Sequence, residues 1–297
     1  MKQKNHVKEA RGVLTLMLAP FVILFALFTL LPILSSFVLS FFSYDMVSTP
    51  VFAGLENYIR MIFFDEVFIL SVKNTFIFAL VTGPVSFFLA FILAWMINEF
   101  RPGVRSFLSF LFYSPALVGN VYFIWQILFS GDSYGYINGM LLSFGLITEP
   151  VQWFKDANYA LGIVIIVQLW LSMGVSFLAN IAGLQNVNDQ LYEAGAIDGI
   201  KSRWQELWYI TIPSMKNILL FGIVIQIQST FSISYVATEL TGFPSVNYST
   251  QTIVTHLTDV GTIRFEMGYA AALSFFLFAV MALTRVLVGK LLNSVGK

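Results

Sequence analysis

The chain has 297 residues, of which 58% are hydrophobic and 11% charged, and its 16 basic and 16 acidic side chains leave no net charge. A water-soluble domain carries roughly a quarter charged residues, so this composition excludes a soluble enzyme, a secreted disulfide scaffold and a disordered linker and points to a polytopic membrane protein. The balanced charge gives no nucleic-acid footprint, and without cysteine there is no thiol catalysis, disulfide or thiolate metal site.

A membrane helix needs about 20 apolar residues to cross about 30 Å of hydrocarbon. Six runs meet that length, or nearly so, and predict spans at about 12–41, 74–98, 106–130, 158–185, 217–238 and 267–289. The runs are continuous rather than alternating, which favours helices over a barrel. The expected fold is therefore an all-α, six-span bundle in a single domain, 1–297. The first run follows Lys2, Lys4, Lys8 and Arg11 but is longer than a signal segment and has no small-residue cleavage site, so it reads as a retained helix. Prolines fall inside the runs at Pro20, Pro32, Pro84 and Pro115, and each removes a backbone donor and predicts a kink.

Twelve of the basic residues lie at the two ends and in the 2–3 and 4–5 connections, and four lie in the other three connections. The positive-inside rule then predicts cytoplasmic termini. The 1–2 connection, with Asp45, Glu56, Asp65 and Glu66, reads as a solvated turn with short helices. The 3–4 connection holds an apolar stretch from Tyr136 to Ile147, which predicts a helix lying on the bilayer surface.

The 4–5 connection, 186–216, is the patterned one. A short helix of small residues around Glu193, Ala194 and Gly195 is predicted to stop at Gly199, which can take a left-handed turn. Trp204, Leu207 and Trp208 follow at helical spacing, so one face can bury against a partner, and Pro213 is expected to end that piece. Such a pair of helices suits a docking element, and equally a loop resting on lipid headgroups.

Glu193-Ala194-Gly195, Asp198-Gly199 and Ile210-Thr211-Ile212-Pro213 resemble the EAA loop of ABC importer permeases, with Gly195, Ile200, Leu207 and Ile212 where the family usually has Ala, Ala, Phe and Leu. Gly54-Leu55-Glu56-Asn57-Tyr58, Asn74-Thr75, Ala182-Gly183-Leu184-Gln185, Leu240-Thr241-Gly242-Phe243-Pro244 and Gly268-Tyr269-Ala270 resemble the carbohydrate-uptake branch, of the maltose MalF type. The resemblance implies a permease subunit that pairs with a second, homologous permease subunit and an ATPase dimer. It also implies that an extracellular binding protein delivers the sugar. The loop, through Glu193, Ala194, Gly195, Asp198, Gly199 and Pro213, would dock on the ATPase. The chain has no G-x-x-x-x-G-K-[ST] phosphate loop, so no ATPase activity of its own is expected, and His6 and His256 alone do not make a metal site. No cofactor is implied.

Polar side chains recur every four residues inside the runs: Gln168, Ser172, Ser176 and Asn180; Gln226, Thr230 and Ser234; Tyr122 and Gln126. Each set keeps to one helical face, and amides and hydroxyls in hydrocarbon should point inward. Gln126, Gln168, Ser172, Gln226 and Thr230 are candidates for a substrate path, and Trp125 and Trp170 could stack on sugar rings. The same groups could instead serve as hydrogen-bond glue between helices, the preferred role for Ser176 and Asn180. Gln168, Ser172, Gln226 and Thr230 also match positions that resemble the maltose subunit's sugar contacts. An ion-coupled carrier, the alternative, is disfavoured because the runs lack carboxylates and lysines.

Overall fold

The computed structural model describes residues 2–118, 121–231 and 234–295. They are mostly helical; the strands among them are one short antiparallel pair, Phe42–Ser43 with Val51–Phe52. Among the described residues, four helices are long and apolar enough to cross a membrane: Leu14–Leu39, Glu66–Asn98, Ala157–Gln185 and Met267–Lys290. Pro102–Leu117 and Tyr122–Leu128 make a fifth if counted together, although they meet at 90°.

Of the six expected spans, four are thus found among the described residues, or five with the bent pair counted as one. The run at 106–130 is two helices rather than one. Val118 takes an extended backbone, φ −98° and ψ 115°, which ends the first of them. Within the run at 217–238, Lys216–Phe231 and the residues from Ser234 on are helical, and residues 232 and 233 lie outside the described ones. The helix expected at 74 begins at Glu66 and carries Lys73, because a helix continues past the charge-free stretch that marks it in the sequence.

The chain divides into two compact units. The first holds Met1–Asp65 and Leu257–Ala279. Its N-terminal helix passes through a π-helical turn, Ala26–Leu30, just before Pro32. Proline has no N–H to give the carbonyl four residues back, here Phe28 in the middle of that turn, which is where the ladder widens. Beyond Leu39 the chain forms the strand pair and the helix Glu56–Phe63. Gly268 passes so close to this hairpin that a Cβ on it would overlap the Phe42 carbonyl oxygen.

The second unit holds Glu66–His256 and Val280–Lys297. Its centre is the Ala157–Gln185 helix packed along Glu66–Asn98, with Pro102–Leu117 and Lys216–Phe231 at its sides. Ala90, Ala94, Phe91, Ile97, Phe177, Ile181, Leu184, Leu207 and Met215 form one apolar core, and small Ala90 and Ala94 let the helices approach. Glu66–Asn98 also carries a buried polar stripe, Ser71, Thr75, Thr82 and Ser86, spaced so that all lie on one face. Asn74 and Thr75 tie that helix to the chain beyond it: the Asn74 amide donates to the carbonyls of Tyr248 and Gln251, each at 3.0 Å, and the Ile253 N–H donates to Thr75 Oγ1. In the 3–4 connection the helix runs Tyr136–Ser143. Its fully buried Asn138 donates to the carbonyls of Ser130, Asp132 and Val151 and accepts from Val151 N and Trp153 Nε1. A buried amide knot therefore holds this connection, an arrangement that hydropathy does not signal.

Candidate functional site

Two groups of residues stand out in the second unit. The first is the 4–5 connection. Asn188 caps the helix Asp189–Ile197 by accepting from Gln190 N at 3.1 Å. The helix ends as expected at Gly199, whose φ of +94° is the left-handed conformation that glycine adopts without a Cβ clash. Gly199 N donates to Ala196 O at 3.3 Å and Ile200 N to Gly195 O at 2.9 Å, so both crossing bonds of a Schellman turn are present. The Ile200 side chain folds back over Gly195, and Ile210 closes the same spot: a Cβ on Gly195 would lie 2.7 Å from Ile210 Cδ1 and 3.1 Å from Ile200 Cδ1. Gly195 is buried, whereas Glu193, Ala194, Asp198 and Gly199 are exposed.

The second helix of the connection opens on a capping box. Ser202 Oγ accepts from Gln205 N, and Gln205 Oε1 accepts from Ser202 N at 3.2 Å and from Lys201 N at 3.0 Å. Arg203 pairs with Glu206 at 2.7 Å and Glu99 at 2.9 Å. Its hydrogen bond to Glu206, with Glu99 beside it, holds its guanidinium more firmly protonated than usual. Leu207 and Ile210 enter the apolar core, and Tyr192 shares a 2.9 Å hydrogen bond with Thr211. The expected apolar face is split: Leu207 is buried, but Trp204 and Trp208 stay 61% and 64% exposed, with one edge of Trp204 against Trp95. Pro213 does not end the piece. It lies within Ile212–Ser214, two residues after a π-helical turn at Leu207–Thr211, the same spacing as Pro32, and the break comes at Met215. The connection is a rigid two-helix element, anchored on its inner side and bare on its outer side, where Ile197 is 87% exposed.

The second group is the polar face. Gln168, Ser176, Asn180, Gln226 and Thr230 are buried, and Ser172 is half-buried. Much of the face acts as glue. Ser172 Oγ shares a 2.5 Å hydrogen bond with Ser86 Oγ and donates to Leu169 O at 3.0 Å. Ser176 donates to Gln226 Oε1 at 3.3 Å, and Thr230 donates to its own helix at Gln226 O. Two amides are left over: Gln226 Nε2 and both polar atoms of Asn180 have no partner among the described residues. Among the described residues Asn180 makes no side-chain hydrogen bond of the kind its preferred role as glue would give. A buried amide left unpaired costs about 1–3 kcal/mol, so these groups are poised to take a hydrogen bond from something else.

Gln226 and Thr230 also line a cavity of about 320 Å³ between Phe76, Leu80, Gly83, Pro84, Phe87, Phe88, Ile223 and Val288. Gln126 is not brought to this cavity. Its amide donates to Glu239 O at 2.6 Å, and Tyr122 beside it stacks edge-on against Tyr235. Trp125 and Trp170 pack on each other, ring centres 5.5 Å apart and nearly perpendicular, rather than presenting open faces. Ser234 is helical, just past residues 232 and 233, which lie outside the described ones. Sequence reasoning missed Ser86 and the stripe it belongs to. Its signal was present in the spacing of Ser71, Thr75, Thr82 and Ser86, but short hydroxyl side chains are easily passed over in a run of Phe and Leu.

Among protein-family models, the one described as binding-protein-dependent transport system inner membrane component matches residues 84–296. The chain is 30% identical to the probable ABC transporter permease protein YesP of Bacillus subtilis, over 98% of this chain and 93% of that one. It is 32% identical to the lactose transport system permease protein LacF of Rhizobium radiobacter, over 90% and 89%. It is also 30% identical to the arabinooligosaccharides transport system permease protein AraP of Bacillus subtilis, over 93% and 87%. In fold it is similar to a chain of a bacterial ABC transporter involved in the import of the acidic polysaccharide alginate, with a TM-score of 0.81, 23% identity and full coverage of both chains. A second structure of a bacterial alginate ABC transporter, in complex with a pentasaccharide-bound periplasmic protein, matches at 0.81 with 22% identity, over 97% of this chain and 96% of that one.

Proposed function

The chain belongs to the family of inner membrane components of binding-protein-dependent transport systems, and on that premise we propose that it is the permease subunit of an ATP-driven importer of a sugar or oligosaccharide. It is a multi-pass protein of the inner membrane. Several of its relatives are named for lactose and arabinooligosaccharide transport, which favours a carbohydrate as the solute here.

The 4–5 connection carries this reading. A pusher must be stiff, or an applied displacement is lost in the loop. The Schellman turn at Gly199, the capping box at Ser202 and the packing of Gly195 under Ile210 all supply stiffness. Leu207 and Ile210 root the element in the helical core, so a push on it reaches the bundle. Glu193, Ala194, Asp198 and Gly199 stand on its exposed outer side and would meet the ATPase, with buried Gly195 shaping the element from within and exposed Pro213 following its π-helical turn.

In this proposal the six runs all span, with both termini in the cytoplasm, and 1–297 is one permease domain. The complex adds a second permease subunit, an ATPase dimer and an extracellular binding protein. ATP-driven closure of the ATPase moves the connection, and the bundles alternate between inward-facing and outward-facing. Gln226 and Thr230, with Gln168 and Ser172 on the facing helix, line the sugar's route. The unpaired Gln226 amide is suited to a sugar hydroxyl. Gln126 lies outside the cavity and serves the bundle's structure instead.

Mild solubilisation, affinity purification and mass spectrometry of stoichiometric partners test the assembly. Recovery of a second permease and an ATPase is the expected result. Recovery of the chain alone under several gentle conditions would count against the coupling role and favour an ion-coupled carrier.

A further inference from the structure

The helix Glu56–Phe63 has two unlike faces. On one, Asn57 and Met61 are 8% and 2% exposed. The Asn57 amide donates to the carbonyls of Ser40 at 2.9 Å and Phe42 at 3.0 Å, and Tyr58 shares a hydrogen bond with Ser40 Oγ at 2.6 Å. Arg60 pairs with Glu266 and lies over the Tyr269 ring, 4.3 Å from its centre; the Tyr269 hydroxyl in turn donates to Asp65 at 2.6 Å. The Glu266 hydrogen bond keeps the Arg60 guanidinium more firmly protonated than usual. These ties fix the roll of the helix about its own axis.

The other face is bare. Leu55, Ile59, Ile62 and Phe63 are 60%, 49%, 53% and 72% exposed, and Phe64 follows at 77%. The spacing places Leu55, Ile59, Ile62 and Phe63 on one apolar stripe. Because the helix cannot roll, the stripe cannot turn inward, so something apolar must cover it. Two residues, Phe64 and Asp65, separate this helix from the membrane-length helix Glu66–Asn98. A connection that short reaches at most about 10 Å. The stripe is therefore held by the chain within that distance of a spanning helix's end.

We propose that Glu56–Phe63 is an interfacial anchor whose Leu55, Ile59, Ile62 and Phe63 side chains insert into the headgroup–acyl boundary of the lipid bilayer. The segment that composition marks as a solvated turn is then a membrane-surface helix, of the kind that buries an apolar face in the interface while its polar face stays bonded to protein. Lipid is favoured over a protein partner by the tether to a spanning helix and by the absence of charge on the stripe. Anchored in this way, the helix holds the Arg60–Glu266 pair and the start of the last helix at a set depth.

The chain has no cysteine, so Ile59→Cys and Phe63→Cys each create a unique site for an environment-sensitive fluorophore. Ser48→Cys, in the exposed turn, gives a control site. The full chain is reconstituted in phosphatidylcholine vesicles with and without nitroxide-bearing lipid. The proposal predicts that probes at 59 and 63 emit at shorter wavelength than the probe at 48, lose emission to the lipid-borne nitroxide and resist aqueous iodide. Probes that match the one at 48 and are quenched by iodide would overturn it. So would probes shielded from iodide only when a soluble binding protein is added, which would assign the stripe to protein docking.

Discussion

Gly195 and Ile210 are packed face to face in the 4–5 connection, with the glycine Cα under the isoleucine Cδ1, so that a Cβ at 195 would stand 2.7 Å from that methyl. The methyl is the free end of a flexible side chain and can turn aside. Gly195→Ala should therefore be nearly neutral, because alanine's helix preference over glycine, about 1 kcal/mol, offsets the adjustment. Gly195→Leu cannot be accommodated in this way and should cost about 1–3 kcal/mol by overpacking. Thermal unfolding of the detergent-solubilised chain checks both, and a Leu variant as stable as the parent would show that the two helices of the connection are not packed as described.

Gly268 is the stricter case. A Cβ built on it would overlap the Phe42 carbonyl oxygen, and backbone cannot turn aside. Gly268→Ala should lower stability by about 1–3 kcal/mol, since the hairpin must shift as a body. Monodispersity by size-exclusion chromatography after graded heating is a suitable readout. An unchanged profile would place Gly268 away from the hairpin.

Asn138 makes five hydrogen bonds from a fully buried position. Asn138→Ala strands three carbonyls, an N–H and the Trp153 indole. The loss should reach the upper part of the range for unmade buried bonds, about 3 kcal/mol. Increased proteolysis between 130 and 153 is the expected sign, and protection equal to the parent would contradict it.

Gln226→Leu separates stability from transport. The Gln226 Nε2 has no partner among the described residues, so replacing the amide with an apolar side chain removes a desolvated donor. Because the variant also takes away the acceptor of the Ser176 hydroxyl, the gain and the loss offset and the melting temperature should change little, while uptake by the assembled complex falls. Equal uptake by parent and variant would remove Gln226 from the substrate route.

The coarse fold was legible because an apolar run of membrane length is rarely stable anywhere but in a bilayer. The turn at Gly199 was legible as well, since a helix of small residues followed by Asp-Gly leaves little choice of ending. Composition did not show that Glu66–Asn98 continues through Lys73, or that Pro102–Leu117 and Tyr122–Leu128 meet at 90°. The fate of the polar face was only half visible. Period four placed Ser172, Ser176 and Gln226 inward, but only the neighbouring helices decide which hydroxyl bonds to protein and which amide stays free. The stripe at Ile59, Ile62 and Phe63 was hidden by the acidic residues around it, which made the segment look solvated.

The central claim is that ATP hydrolysis elsewhere in a complex drives this chain through the 186–216 connection. The most direct measurement is uptake of a labelled oligosaccharide into vesicles holding the purified complex, with ATP on the side of the ATPase and the binding protein on the other. It should be made for the parent and for Gly199→Val, in which a β-branched residue must adopt a left-handed conformation at a cost of about 1–2 kcal/mol. The account predicts ATP-dependent accumulation by the parent, and for the variant a complex that assembles and binds ATP but accumulates little. Accumulation without ATP that follows an imposed ion gradient, equal in parent and variant, would contradict it.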